Sequence, residues 1–263
     1  MTDTDAALAA RLAREAGALL LALRESPETA GAGGLGAAGD RAAHEFLLAE
    51  LTRHRPDDDV LSEEGADNQR RLQADRVWIV DPLDGTREFA ENRSDWAVHV
   101  ALWERDDTGG RLVAGAVALP ADGTVLSSEN PPAVPEQGER PRRIAVSRTR
   151  APEFARAAAS ELSAELVPMG SAGYKVASVV LGATDAYIHA GGQYEWDSAA
   201  PVAVALAAGL SASRLDGSPL RYNNADPYLP DLLVARPELA DVLLAACSDA
   251  ASDLVTVDPR SQR

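Results

Sequence analysis

The stretch VWIVDPLDGTREF, residues 77–89, decides how this chain is read. Val77-Trp78-Ile79-Val80 is an unbroken apolar run, the pattern of a buried strand. It ends in two carboxylates, Asp81 and Asp84, three residues apart. A straight strand would send them to opposite faces. Pro82 fixes φ and removes a donor, so a turn is expected that brings both acids to one side. Two adjacent carboxylates call for a cation; the plainer alternative is an Asx-type turn. Gly85-Thr86 then suits an anion, because glycine lets a ligand approach the backbone and amides that open a helix accept anionic oxygens.

Working outward, Leu8, Leu12, Leu19 and Leu23 mark one face of an N-terminal helix. The glycine-rich ETAGAGGLGAAG (28–39) reads as a loop, with Asp40 as a candidate N-cap of the next helix. That helix buries Phe46, Leu47 and Leu51. Val60-Leu61 begins a short strand ending at Glu63-Glu64, which alone reads as a solvated loop. Residues 96–103 and 111–119 form a meander that GTVLSS continues. The Pro-rich segment 129–142 reads as a boundary, giving an N-terminal α+β domain (1–140) and a C-terminal α/β domain (141–263). In the second half strands and helices alternate, which implies layered α/β packing.

The chain has 263 residues, 46% of them hydrophobic but only 5% aromatic, so Ala, Val and Leu must build the core. A net charge of −16 repels nucleic-acid polymers and anionic membranes. No apolar run is long enough to span a bilayer, and the N-terminus is an amphipathic helix, not a signal peptide. With Cys247 alone no internal disulfide forms, so a reducing, cytoplasmic setting is expected. Of the 25 basic residues only Lys175 is lysine, which weakly marks a place where a compact ammonium serves better than a guanidinium.

Asp40, Glu63, Glu64, Asp81, Asp84 and Asp197 all fall at the ends of predicted elements. Asp197, in GGQYEWDSAAP, is also a candidate N-cap of the helix after it, with Pro201 in the first turn. Oxygen-only ligands without His or Cys select a hard cation, Mg²⁺ or Mn²⁺. Two such ions ~3.5–4 Å apart would serve an attacking water and a leaving oxygen together, the arrangement for hydrolysing a phosphomonoester. A haloacid-dehalogenase-type loop, Asp-x-Asp-Gly-Thr, is the rival. Here the acids are one residue further apart, which favours two ligands over a nucleophile and an acid and frees the Leu83 carbonyl to bind.

Taken together, Asp40, Glu63-Glu64, Asp81-Pro82-Leu83-Asp84-Gly85-Thr86 and Trp196-Asp197 followed after eleven residues by Gly209 resemble the pattern of the inositol monophosphatase/fructose-1,6-bisphosphatase superfamily. Leu210 replaces that pattern's final glycine. Thr86-Arg87-Glu88-Phe89 is similar to the signature of its 3′-phosphoadenosine-5′-phosphate phosphatases, and the wider match is to actinobacterial CysQ-type enzymes. Ala190 stands where inositol monophosphatases carry an acid. The resemblance implies an α-β-α-β-α layered fold of the sugar-phosphatase type and an Mg²⁺-dependent, lithium-sensitive phosphatase with two or three ions per site, Mn²⁺ substituting. It assigns Glu63, Asp81, Asp84, Asp197 and the Leu83 carbonyl to the metals. Asp40, Thr86 and Glu63 would handle the attacking water. Gly85 and Thr86 would hold the scissile phosphate, with Asp197 also at the substrate, and Gly170, Ser171 and Lys175 would hold a second phosphate. The segment has one more residue between Ser171 and Lys175 than relatives have, Ala172-Gly173-Tyr174.

The expected reaction is removal of the 3′-phosphate of 3′-phosphoadenosine-5′-phosphate, or its sulfated form, by a metal-activated water, in a homodimer. An inositol or fructose-bisphosphate phosphatase is the alternative, and a metal-binding protein without activity is the rival of another class. His99 reads as structural, His189 as packing or as a support behind the site, Arg221 and Tyr222 as contacts to adenine or a phosphate or as surface pairs, and Cys247 as core.

Overall fold

The computed structural model describes residues 3–26, 34–67, 69–149 and 151–254. Its first sheet has the order β1 (Asp59–Ser62), β2 (Arg76–Asp84), β3 (Ala97–Glu104), β4 (Arg111–Leu119), β5 (Thr124–Ser127). β1 and β2 are parallel and the remaining pairs antiparallel. The second sheet has the order β7 (Glu165–Met169), β6 (Arg143–Ser147), β8 (Ala186–Tyr194), β10 (Tyr228–Ala235), β9 (Ser211–Ser213). There β6 runs parallel to β7 and β8, while β10 is antiparallel to β8 and β9. The three-residue β9 had no sequence signal, and β8 runs on through Gly191-Gly192 to Tyr194.

Period-two alternation puts each sheet between two apolar layers. On the first sheet, Trp78, Val80, Val98 and Val100 face α1 (Asp5–Glu25) and α2 (Gly34–His54). Val77, Ile79, Ala101 and Val117 face the middle layer, made by α5 (Ala172–Val180) and α6 (Glu195–Ala207). The second sheet covers that layer with Tyr187, Leu232 and Val234. Its far side, with Ile144, Ile188 and Leu233, meets α4 (Glu153–Glu161) and α7 (Pro237–Leu254), where Cys247 is buried. The layers thus run α-β-α-β-α, as expected. The short α3 (Thr86–Ala90) follows β2.

Three local expectations are corrected. α1 buries Leu8, Leu12, Ala16 and Leu20, a straight i, i+4 stripe, and leaves Leu19 and Leu23 at its margin. Of the glycine-rich segment, residues 28–33 lie outside the described residues. Residues 34–39 are helix, so Asp40 sits inside α2 and is not its N-cap. Likewise Asp197 is the third residue of α6, and Pro201 lies in that helix's interior. Lacking an N–H, Pro201 leaves the Asp197 carbonyl without its usual intrahelical donor.

The chain crosses between the sheets through 128–142, pinned by Arg140, whose guanidinium donates to Asp185 at 2.7 and 2.9 Å. Arg236 and the Arg143 amide donate to the same buried carboxylate. Among the described residues no helix is long and apolar enough to cross a membrane.

Candidate active site

The two acids of the opening stretch meet through a defect in the β2–β3 ladder. Asp81 pairs with His99, yet Asp84 pairs with Ala97. Three steps on β2 thus oppose two on β3, which is a β-bulge with one extra residue. One extra residue reverses the side-chain parity, so positions i and i+3 share a face. Asp81 and Asp84 are both buried. With Asp197 from the first turn of α6, each offers an oxygen, and the three oxygens lie within 4.8 Å of one another. Asp81 Oδ1 also accepts the Leu83 amide at 3.0 Å, so the Asx turn and the acidic pair are the same structure.

These carboxylates are treated very unequally. Asp84 Oδ2 accepts from Ser171 Oγ at 2.5 Å and the Gly173 amide at 2.6 Å, and Oδ1 accepts the Ala172 amide at 3.1 Å. Burial alone would raise its pKa, but His99, Ser171 and Lys175 together pull it down to about 2. Asp81 has no such support: burial, then the charges of Glu63, Asp84 and Asp197, push it well up. Asp197 is raised to about 7 by burial and by Asp84, although its side chain accepts the Tyr194 amide at 2.7 Å. Glu63 lies in the exposed turn after β1, bonded to Asp81, and is pushed upward by partial loss of water and the charges of Asp84, Asp40 and Glu64. Among the described residues no Lys or Arg pairs with Asp81 or Asp197. Converging carboxylate oxygens, of which only those of Asp84 have a cationic neighbour close by, fit a hard divalent cation.

Comparison with known proteins shows the family. The model of the inositol monophosphatase family matches residues 2–251. The chain belongs to the inositol monophosphatase family. It is 55% identical over 251 residues to a 3′-phosphoadenosine 5′-phosphate phosphatase of Mycobacterium leprae, covering 92% of each chain. It is 30% identical over 203 residues to the 3′(2′),5′-bisphosphate nucleotidase CysQ of Escherichia coli, covering 73% of this chain and 81% of that one. Among solved structures, CysQ from Bacteroides thetaiotaomicron superposes with a TM-score of 0.74 at 26% identity, over 88% of this chain and 97% of that one. Inositol monophosphatase II from Staphylococcus aureus shares the fold, with a TM-score of 0.77 at 23% identity over 95% and 98%.

Within this family member, α2 approaches the Gly85-Thr86 turn through glycines. A methyl group at Gly36 would lie 2.7 Å from Thr86 Cγ2, and one at Gly39 would lie 2.9 Å from Leu83 Cδ2. Their absence lets Asp40 come within 3.0 Å of Thr86 Oγ1. The same hydroxyl lies 3.2 Å from the Leu83 carbonyl, and its single proton serves one acceptor at a time. Burial raises Asp40 to about 6, against the Thr86 hydrogen bond and with help from Glu64.

A cavity of about 180 Å³ opens beside Asp84 and Asp197 and is lined by Gly85, Ser171, Lys175 and Arg148 among others. Lys175 is buried; its ammonium donates to the Gly170 and Ser171 carbonyls, which leaves one N–H, and lies 5.2 Å from the centre of the Tyr187 ring. Burial lowers its pKa against the surrounding acids. Ser171 caps α5, accepting the Tyr174 amide at 2.9 Å while donating to Asp84. The Gly170 amide is held by Asp95 at 2.7 Å. All three residues expected at a second phosphate are therefore engaged with protein partners, Lys175 with one N–H to spare. A larger cavity of about 510 Å³, along α6 and β4, contains none of the acidic cluster.

Sequence reading took His99 as structural without finding its partners, and it did not name Arg148. His99 reaches Asp84 across the ladder and Trp196 across the layer, neither of which local pattern reveals. Arg148 donates to Glu88 at 2.7 Å and Glu91 at 3.0 Å at the cavity wall. His189 lines the cavity, its ring nitrogen 2.9 Å from the Gly191 carbonyl. Arg221 and Tyr222 lie elsewhere: Arg221 donates to the Thr108 carbonyl, and Tyr222 is buried against Ser198.

Proposed function

We propose that this protein hydrolyses the 3′-phosphate of 3′-phosphoadenosine 5′-phosphate, giving AMP and phosphate, with Mg²⁺ as its metal. The carrying observation is the Asp81–Asp84–Asp197 cluster, three acidic oxygens within 4.8 Å, beside the Asp40–Thr86 pair. The substrate is suggested by the relative that is 55% identical over 92% of the chain.

Asp81, Asp84 and Asp197, with Glu63 at the edge and the Leu83 carbonyl, are the ligands in this reading. Bound there, divalent ions would act as Lewis acids and lower the pKa of water. Asp40 accepts the hydrogen bond of the Thr86 hydroxyl. That leaves the Thr86 oxygen as an acceptor for a water proton and Asp40 as the base behind it. Gly85, with no Cβ and φ of 93°, allows a phosphate oxygen close to the backbone. Lys175 and Arg148 are cations of the cavity lining that could meet a second phosphate.

The test is phosphate release from 3′-phosphoadenosine 5′-phosphate, inositol 1-phosphate and fructose 1,6-bisphosphate, with and without Mg²⁺. The reading requires the highest kcat/KM for the nucleotide and none without metal. Asp84→Asn should abolish release; full activity in that variant, or preference for inositol phosphate, refutes it.

A further inference from the structure

His99 is fully buried on β3, between two elements that carry metal-cluster carboxylates. Its Nε2 lies 3.2 Å from Asp84 Oδ2, off the line of a strong hydrogen bond. Its Nδ1 lies 3.0 Å from the carbonyl of Trp196, one residue before Asp197. Both neighbours are acceptors: Nδ1 is within hydrogen-bond distance of the Trp196 carbonyl, and Nε2 faces the Asp84 carboxylate at ion-pair distance without a well-aligned hydrogen bond. Asp84 comes from the first sheet and Asp197 from the middle-layer helix α6, 113 positions later in the chain.

The space for this ring is made by Gly173. A methyl group there would lie 1.9 Å from Nε2 and 2.8 Å from Cε1 of His99. The Gly173 amide itself donates to Asp84 Oδ2 at 2.6 Å. A large side chain at 99 and none at 173 are therefore two halves of one fit. This accounts for the glycine in Ala172-Gly173-Tyr174, the segment between Ser171 and Lys175.

We propose that His99 is a positioning residue that clamps the Asp84 carboxylate to the first turn of α6, setting the Asp84–Asp197 spacing for divalent-ion binding; this rests on the metal-dependent reading above. Metal-site partners of this kind change metal affinity by about 10–100-fold when removed. The ring does not touch the substrate cavity, so its effect falls on the ions and not on nucleotide recognition.

The test is Mn²⁺ binding to the full chain, read from the electron paramagnetic resonance of the free ion and from the rise in Tm with Mn²⁺. Three variants divide the contacts. His99→Gln places an amide near the Nε2 position, towards Asp84. His99→Asn reaches only the Nδ1 position, towards Trp196. The double variant H99A/G173A refills the space without a donor, and circular dichroism checks that each variant is folded. We expect the Mn²⁺ Kd to stay within about threefold in His99→Gln and to weaken about 10–100-fold in His99→Asn and the double variant. Unchanged binding in all three overturns the proposal. So does equal loss in His99→Gln and the double variant, which would make the effect one of packing, and so does loss in His99→Gln with retention in His99→Asn. If the wild type binds no Mn²⁺, the metal reading itself fails, a result distinct from any variant pattern.

Discussion

Asp40 and Thr86 lie 46 residues apart in the chain and 3.0 Å apart in space. The contact exists because α2 carries glycine at 36 and 39, where a Cβ would strike Thr86 in one case and Leu83 and Phe89 in the other. If this pair activates water, Asp40→Asn should lower kcat about 10²–10⁴-fold, the range for a general base. The Mg²⁺-induced rise in Tm should stay near that of the wild type. Thr86→Ser should keep most activity and Thr86→Val should not. Stopped-time phosphate assays with parallel melting curves check this; loss of the metal response in Asp40→Asn would place Asp40 among the ligands instead.

Gly39→Ala tests the approach itself. Its Cβ would lie 2.9 Å from Leu83 Cδ2 and 3.0 Å from Phe89 Cε1, inside a fully packed layer. Overpacking of this kind costs about 1–3 kcal/mol. Urea unfolding should show that loss, and kcat should fall as Asp40 is levered away from Thr86. Gly34→Ala, at a position with nothing within 4 Å, is the contrast for crowding, though its φ of 78° carries its own strain.

The acidic cluster sets the pH dependence of the metal-free protein. Asp197 at about 7, Asp40 at about 6 and Asp81, also raised, hold protons more tightly folded than unfolded. Their contribution is complete below the unfolded carboxylate range near pH 4 and is lost as pH rises through about 6–7. Asp84, at about 2, has the opposite sign, but its window lies below that range. In EDTA, stability should therefore decline from about pH 5 to about pH 8. Added Mg²⁺ competes with those protons, so its Tm gain should grow over the same interval. Calorimetry at several pH values measures both; a metal gain independent of pH would contradict it.

Arg148 carries a prediction on specificity. Its guanidinium is bound by Glu88 and Glu91 at the cavity wall, while Nε is buried without a partner. Arg148→Met should raise KM for 3′-phosphoadenosine 5′-phosphate about tenfold with kcat little changed, the mark of lost uniform binding. Hydrolysis of 3′-AMP, which lacks the second phosphate, should be nearly unaffected. Equal losses on both substrates would show that Arg148 only supports the wall through Glu88.

Much of the architecture was legible in the chain because it rests on local periodicity. The apolar run 77–80, the meander to residue 127 and the alternation after 143 each announce their elements, and these stack as expected. Glycine was where the reading failed. Gly36 and Gly39 looked like loop residues, yet they serve close packing within a helix, because what a missing Cβ makes room for lies elsewhere in the chain. The three-residue β9 escaped for a related reason: Ser211-Ala212-Ser213 is a strand only because β10 offers it an edge.

At the site, the sequence by itself determined the inventory: which carboxylates, in which order, with Gly85-Thr86 at the end of a strand. Side-chain type and spacing are local properties, and they specify hard-cation chemistry without reference to the fold. The tertiary structure alone decided which acids stand together and how each is tuned. A one-residue bulge turned Asp81 and Asp84 to one face, α6 brought Asp197 to them, and the start of α5 gave Asp84 three hydrogen-bond donors with His99 beside it. Charge–charge coupling and desolvation depend on distances through space, so no order of letters along the chain could assign the ionised member of that cluster.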